Sequence, residues 1–121
     1  MQAGVSFGGI TPLVPANDVP AAIAFYTEKL GFTEMWRGED PVKEAGILRD
    51  AASVIFFECK DRTIAEMTSF RVRIDGIEAF YEQCKTANIV HPNGALSVKP
   101  WGTQEFAIID PSGVCITFWQ Q

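Results

Sequence analysis

The 121-residue sequence predicts an α+β fold made of two βαβββ modules, whose mixed sheets join into one curved, cupped surface or exchange between two chains. Three observations lead there. Asp18 to Phe32 and Asp75 to Ile89 have the same spacing, from a helix-capping acid to the first residue of the next strand. Each half closes with an Asp-led turn followed by an apolar strand, at Asp50 and at Asp110. The length is that of one domain, which buries roughly two-thirds of its unfolded surface around one core without staples. The first module covers about 8–59, a polar linker 60–68 and the second module about 69–120, within a single domain 1–121.

Taken in order, residues 8–16 (GGITPLVPA) read as a strand that Pro12 and Pro15 confine to a sheet edge, since neither can donate to a ladder. Asn17-Asp18 then caps a helix with Val19, Ile23, Tyr26 and Leu30 on one stripe, Pro20 in its first turn and Gly31 at its end. Phe32–Trp36, Ala45–Arg49 and Ser53–Cys59 read as strands, separated by the acidic loop Gly38-Glu-Asp-Pro41 and by Asp50-Ala-Ala52. After the charged linker the pattern restarts with a strand at Ser69–Ile74. Asp75 is expected to cap a second helix, with Ile77, Phe80, Tyr81 and Cys84 on its apolar face. The last stretch, Pro100–Gln121, is a hairpin. Thr103, Glu105 and Ala107 alternate with Gln104, Phe106 and Ile108, Asp110-Pro-Ser-Gly113 makes the turn, and Val114–Trp119 returns.

Composition narrows the function classes. Fifteen acids against ten bases leave a formal charge of −5, which disfavours nucleic acid as a partner and favours a cationic ligand. With 47% hydrophobic and 21% charged residues the chain reads as a globular protein with no membrane partner. Cys59, Cys84 and Cys115 are an odd, widely spaced set without a CxxC pair. They form neither a disulfide framework nor a zinc knuckle, so a reducing cytoplasm is the expected location. MQAGVSFGG carries no secretory pattern, so export is not expected. The single histidine, His91, has no partner at metal-ligand or triad spacing and reads as a loop residue; each cysteine occupies an apolar position. No catalytic residue, resident metal or cofactor is therefore assigned.

Several pieces together resemble a known family: Ala16-Asn-Asp-Val19, Phe25-Tyr26, Leu30-Gly-Phe32, Leu48-Arg-Asp50, Pro100-Trp-Gly102, Glu105-Phe-Ala107 and Asp110-Pro-Ser-Gly113. Over nearly its whole length the chain resembles the vicinal oxygen chelate superfamily (glyoxalase, bleomycin-resistance protein, extradiol dioxygenase). The Pro-Trp-Gly corner resembles the bleomycin-resistance branch in particular. The resemblance implies the glyoxalase-like fold and a domain-swapped homodimer with two interface crevices. Each crevice would sequester one cationic, planar-tailed glycopeptide antibiotic of the bleomycin type, free or metal-bound, without reaction.

Enzymes of the superfamily hold a divalent cation between the two halves, and the equivalent positions here read as Thr11, Phe56, Ser69 and Thr117, which is not a ligand set. What remains is aromatic and acidic. Trp36, Phe56, Trp101 with Gly102, Phe106 and Trp119 offer flat faces or a tight corner for a planar ring. Glu58 and Glu66 belong to an acidic group in the first half that suits a cation. By motif, Trp101 matches the crevice tryptophan, Trp36 an aromatic four residues after Leu-Gly-Phe, and Glu66 an acid before the fifth strand. Arg71 and Glu58 depart from the pattern, standing where relatives carry an aromatic and a small polar residue; Arg71 brings a positive charge toward a cationic drug. The competing readings are a metal-dependent glyoxalase-like lyase or thiol transferase, a binding protein for another small planar ligand, and an interaction protein whose dimer merely buries apolar strands, with no ligand-sized crevice lined by Trp36 and Trp101.

Overall fold

The first helix forms where its caps dictate. Asp18 Oδ1 accepts the Ala21 N–H at 3.0 Å, and Gly31 turns left-handed (φ 73°) to end the helix after Leu30. In the computed structural model, which describes residues 4–121, the order is β1 (Leu13–Ala16), α1 (Val19–Leu30), β2 (Thr33–Arg37), β3 (Glu44–Arg49) and β4 (Ala52–Glu58). It continues with α2 (Arg62–Glu66), β5 (Ser69–Arg73), α3 (Ile77–Thr86), β6 (Ser97–Val98), β7 (Gln104–Ile109) and β8 (Cys115–Gln120).

The strands make two four-stranded sheets of one topology, β1-β4-β3-β2 and β5-β8-β7-β6. In each, the first strand pairs parallel with the last, and the other pairs are antiparallel. The mixed α+β architecture expected from the doubled pattern is therefore present. Each sheet packs one face on its helix. Val14, Ala45, Ile47, Val54 and Phe56 meet Val19, Ile23, Tyr26 and Leu30 of α1, with the Tyr26 ring edge-on to Phe56 at 4.9 Å. In the second module Phe106, Ile108, Ile116 and Phe118 meet Ile77 and Cys84 of α3, with Phe80 edge-on to Phe118 at 5.0 Å.

Four local expectations are corrected. The first strand is shorter than 8–16: residues 4–11 are exposed, and pairing begins where the Pro12 carbonyl accepts Ile55 N–H at 3.1 Å. The 60–68 linker contains α2, nucleated by Asp61 Oδ1 on Thr63 N–H at 3.0 Å; one turn is too short to show an apolar stripe. The cap of α3 is Gly76 (φ 83°) rather than Asp75, and the Ile77 N–H goes instead to Gln120 Oε1 at 2.9 Å. At Ile89 no full strand starts. Only Val90 bridges to Ile108, because His91-Pro-Asn-Gly94 turns the chain, with the Asn93 N–H on His91 Nδ1 at 2.9 Å.

The modules are tied through the β7–β8 turn. Asp110 Oδ1 accepts the N–H groups of Ser112, Gly113 and Val114, and Oδ2 accepts the Tyr26 hydroxyl at 2.8 Å. Ser112 Oγ accepts the Asn17 N–H at 3.0 Å, and Arg62 donates to the Pro111 carbonyl at 3.1 Å. Burial pushes the Asp110 carboxyl and the Tyr26 phenol above their ordinary values, the Tyr26 bond and the three N–H groups opposing it at Asp110. Across the junction, Arg49 caps the last turn of α1 through the Leu30 carbonyl at 2.7 Å and lies over the Phe80 ring at 5.5 Å.

Candidate functional site

With one face of each sheet on its helix, the period of two sends alternate residues to the other, open face. On the second sheet these are Arg71 and Arg73 of β5, Thr117 and Trp119 of β8, and Glu105 and Ala107 of β7. The register sets Arg71 beside Thr117 and Trp119 beside Glu105. A polar cluster results. Glu105 is buried, and its two oxygens take the Arg71 guanidinium end-on at 3.1 and 3.0 Å. Oε2 also accepts the Trp101 indole N–H at 3.0 Å and the Thr103 hydroxyl at 2.6 Å. The Arg71 hydrogen bonds, helped by Thr103 and Trp101, hold the Glu105 carboxyl down to about 2 against the opposing effect of burial. Arg71 also lies over the Trp119 ring, 5.7 Å from its centroid.

Trp101 stands on this cluster with 67% of its surface exposed. Its corner is closed by Gly102, whose φ of 99° suits glycine and whose N–H returns to the Lys99 carbonyl at 2.9 Å. On the first sheet, Trp36 is 43% exposed and covers Gly46, where any Cβ would run into the indole nitrogen. Phe57 is also exposed nearby in sequence order on β4, at 42%.

The other expected residues divide. Phe56 and Phe106 are corrections: at 0% and 2% exposure both are core, on the helix side of their sheets, and neither has a face for a ligand. Glu58 is half-buried with Lys60 at 3.7 Å, and Glu66 is exposed, paired with Arg62 at 3.2 Å behind the Gly113 turn. Neither joins the Trp101 cluster. Arg71 does, but as the partner of Glu105, so its charge is largely cancelled rather than free to repel a cation. Glu105 and Thr103 join the site without any sequence expectation, whereas Trp119 is among the flat faces the sequence offers. A signal existed in the alternation that sets Thr103 and Glu105 on the same side of the strand, with the acid in its interior.

Two clefts, of about 530 and 240 Å³, run along the module junction. The larger is floored by Leu30, Phe32, Phe80 and Phe118 and rimmed by Arg49 and Arg73. Neither is lined by Trp36 or Trp101.

The fold agrees with the family comparison. The family model for the glyoxalase/bleomycin resistance protein/dioxygenase superfamily matches residues 9–118. The chain belongs to that superfamily. Among its relatives, a bleomycin resistance protein of Geobacillus stearothermophilus is 31% identical over 91% of this chain and 94% of its own length. One of Klebsiella pneumoniae is 29% identical over 91% of this chain and 90% of its own. The crystal structure of the bleomycin resistance determinant encoded on transposon Tn5 superposes with a TM-score of 0.80 at 28% identity, covering 95% of this chain and 98% of that one. The bleomycin-binding protein of Streptomyces verticillus, complexed with copper(II)-bleomycin, superposes equally well, at 0.80 and 28% identity over 94% and 96% of the two chains.

Superfamily membership raises the question of a metal between the modules, and the register corrects one assumed position. Leu13 and Arg71 stand at the same distance ahead of α1 and α3, and they pair with Ile55 and Thr117 respectively. Ile55, not Phe56, is thus the counterpart of Thr117. The open-face set becomes Thr11, Ile55, Ser69 and Thr117. Thr11 is already hydrogen-bonded to Ser53 at 2.6 Å, and an isoleucine cannot coordinate. These residues do not fit a divalent cation. Among the described residues no group of three or more His, Cys, Asp or Glu is placed to hold one, and no helix is long and apolar enough to cross a membrane.

Proposed function

We propose that this protein confers resistance to bleomycin-type glycopeptide antibiotics by binding them, one per crevice, without chemical change. The observation that carries the reading is Trp101, a large aromatic left two-thirds exposed yet fixed by a buried carboxylate. A surface tryptophan that is immobilised rather than buried is a stacking platform, and such stacking contributes roughly 1–3 kcal/mol per ring. On the first sheet, Trp36 covers Gly46 and keeps part of its ring exposed. The relatives that carry bleomycin resistance and the superposable bleomycin-binding chains support the same ligand class.

Trp36 lies on β2 of the first sheet and Trp101 in the turn between β6 and β7 of the second, and neither lines a junction cleft of the chain. We therefore place the crevice between two copies, with one wall from the first sheet of one protomer and the other from the second sheet of its partner. The apolar residues left exposed at Val5, Phe7, Ile10, Leu13 and Phe57 support a homodimer, since a monomer rarely leaves so much apolar surface uncovered. A cytoplasmic location suits three free thiols. Isothermal calorimetry tests the reading: bleomycin, with and without Cu²⁺, is expected to bind at one drug per chain and to be recovered unchanged. Consumption of the drug, or no heat at millimolar concentrations, would refute it.

A further inference from the structure

Glu105 is buried on an otherwise open face and collects four hydrogen bonds from three residues. A carboxylate is costly to bury, and a neutral side chain would pack there with less desolvation. What the carboxylate does that no neutral group can is satisfy the indole N–H, the threonine hydroxyl and a guanidinium fork at once. Two consequences follow for the surface a ligand meets. The Trp101 ring, otherwise free to rotate about its corner at Gly102, has one orientation. The Arg71 guanidinium, 52% exposed on its side chain, faces the site with its charge matched.

Building on the drug-binding reading above, we propose that Glu105 is the positioning and charge-matching residue of the crevice. It orients the Trp101 face for a planar ring and silences Arg71 toward a cationic ligand, without touching the ligand itself. The pair makes this site different from one walled by an aromatic at position 71: it offers a planar ion pair, net neutral, over the Trp119 ring.

The test combines one ligand-free and two binding measurements on Glu105→Gln, Trp101→Phe, their double variant, and Arg71→Met/Glu105→Gln. In the ¹H–¹⁵N NMR spectrum of the free protein, the Trp101 indole N–H is expected to be protected from exchange in the wild type and exposed in Glu105→Gln. An unshifted, still protected indole signal would overturn the positioning role whether or not bleomycin binds. For bleomycin, Glu105→Gln and Trp101→Phe are each expected to weaken binding about tenfold, the size of one lost charge-assisted hydrogen bond. The double variant is expected to be no weaker than the worse single, because both remove the same clamp. Additive losses would overturn it. In Glu105→Gln the uncompensated Arg71 makes the remaining affinity rise with salt, and Arg71→Met/Glu105→Gln, which removes both charges together, returns the salt dependence to that of the wild type. Wild-type salt dependence in Glu105→Gln would remove the charge-matching half. If the wild type binds no bleomycin while the indole signal behaves as described, the ligand assignment fails and the positioning role stands.

Discussion

Trp101→Ala is expected to weaken bleomycin binding by roughly 1–3 kcal/mol, about fivefold to a hundredfold. Thermal stability should change little, because the ring is 67% exposed. Calorimetry and a melting curve check both halves. Arg71 needs a different prediction from the one its sequence position suggests. Arg71→Trp introduces the aromatic that the family resemblance implies at this position, which by motif alone should tighten binding; in the folded protein it strips Glu105 of its guanidinium. The expected outcome is a protein destabilised by ~1–3 kcal/mol and no gain in affinity, read by urea denaturation and titration. Acid behaviour follows from the same carboxyl. Its pKa is depressed from 4.5 to about 2 in the folded state, so its contribution to stability is complete above pH 4.5 and lost as the pH falls toward 2. Denaturation midpoints measured from pH 7 to 2 should therefore show a steeper acid loss in the wild type than in Glu105→Gln.

At the scale of single elements, Gly46 and the β7–β8 turn bear the most. Gly46→Ala puts a methyl group where the Trp36 indole lies, so the ring must lift from β3. Binding is expected to fall about as far as in Trp36→Ala while the strand itself survives, which circular dichroism and titration together would show. Tyr26→Phe removes the hydroxyl that joins α1 to Asp110 and is expected to cost ~1–3 kcal/mol at neutral pH. Asp110 has its folded pKa raised, chiefly by burial, so the penalty of burying its charge is present at neutral pH and relieved as the pH falls through that pKa. The Tyr26→Phe deficit should accordingly shrink on acidification.

Much of this was legible in the residues. Capping at Asp18 and Gly31, the stripe of α1 and the Asp-Pro-Ser-Gly turn are local codes, and local codes can be read from local sequence. The exposure of Trp101 was also legible, from a tryptophan wedged between proline and glycine. Whether an aromatic on a strand faces core or solvent was not. Phe56 and Ile55 differ by one residue and therefore by a whole face, and only the pairing of β1 with β4 decides between them. The Glu105 clamp was hidden for a related reason, since Arg71 lies 34 residues away in sequence and only the sheet brings the two together.

For the whole molecule, sedimentation is expected to show a dimer in the micromolar range; a monomer there would remove the shared crevice while leaving the fold intact. The separation of Trp36, on the first sheet, from Trp101, in the β6–β7 turn of the second module, has a genetic consequence. If each crevice takes its first wall from one protomer and its second from the other, a chain lacking Trp36 and a chain lacking Trp101 can rescue each other. In their mixed dimer both losses fall in one crevice, and the other crevice is whole. Random reassortment of Trp36→Ala with Trp101→Ala chains would make about a quarter of all crevices fully functional, although neither parent has any. Two inactive alleles expressed in one cell would then protect it, and a crevice built within a single chain would allow no such complementation.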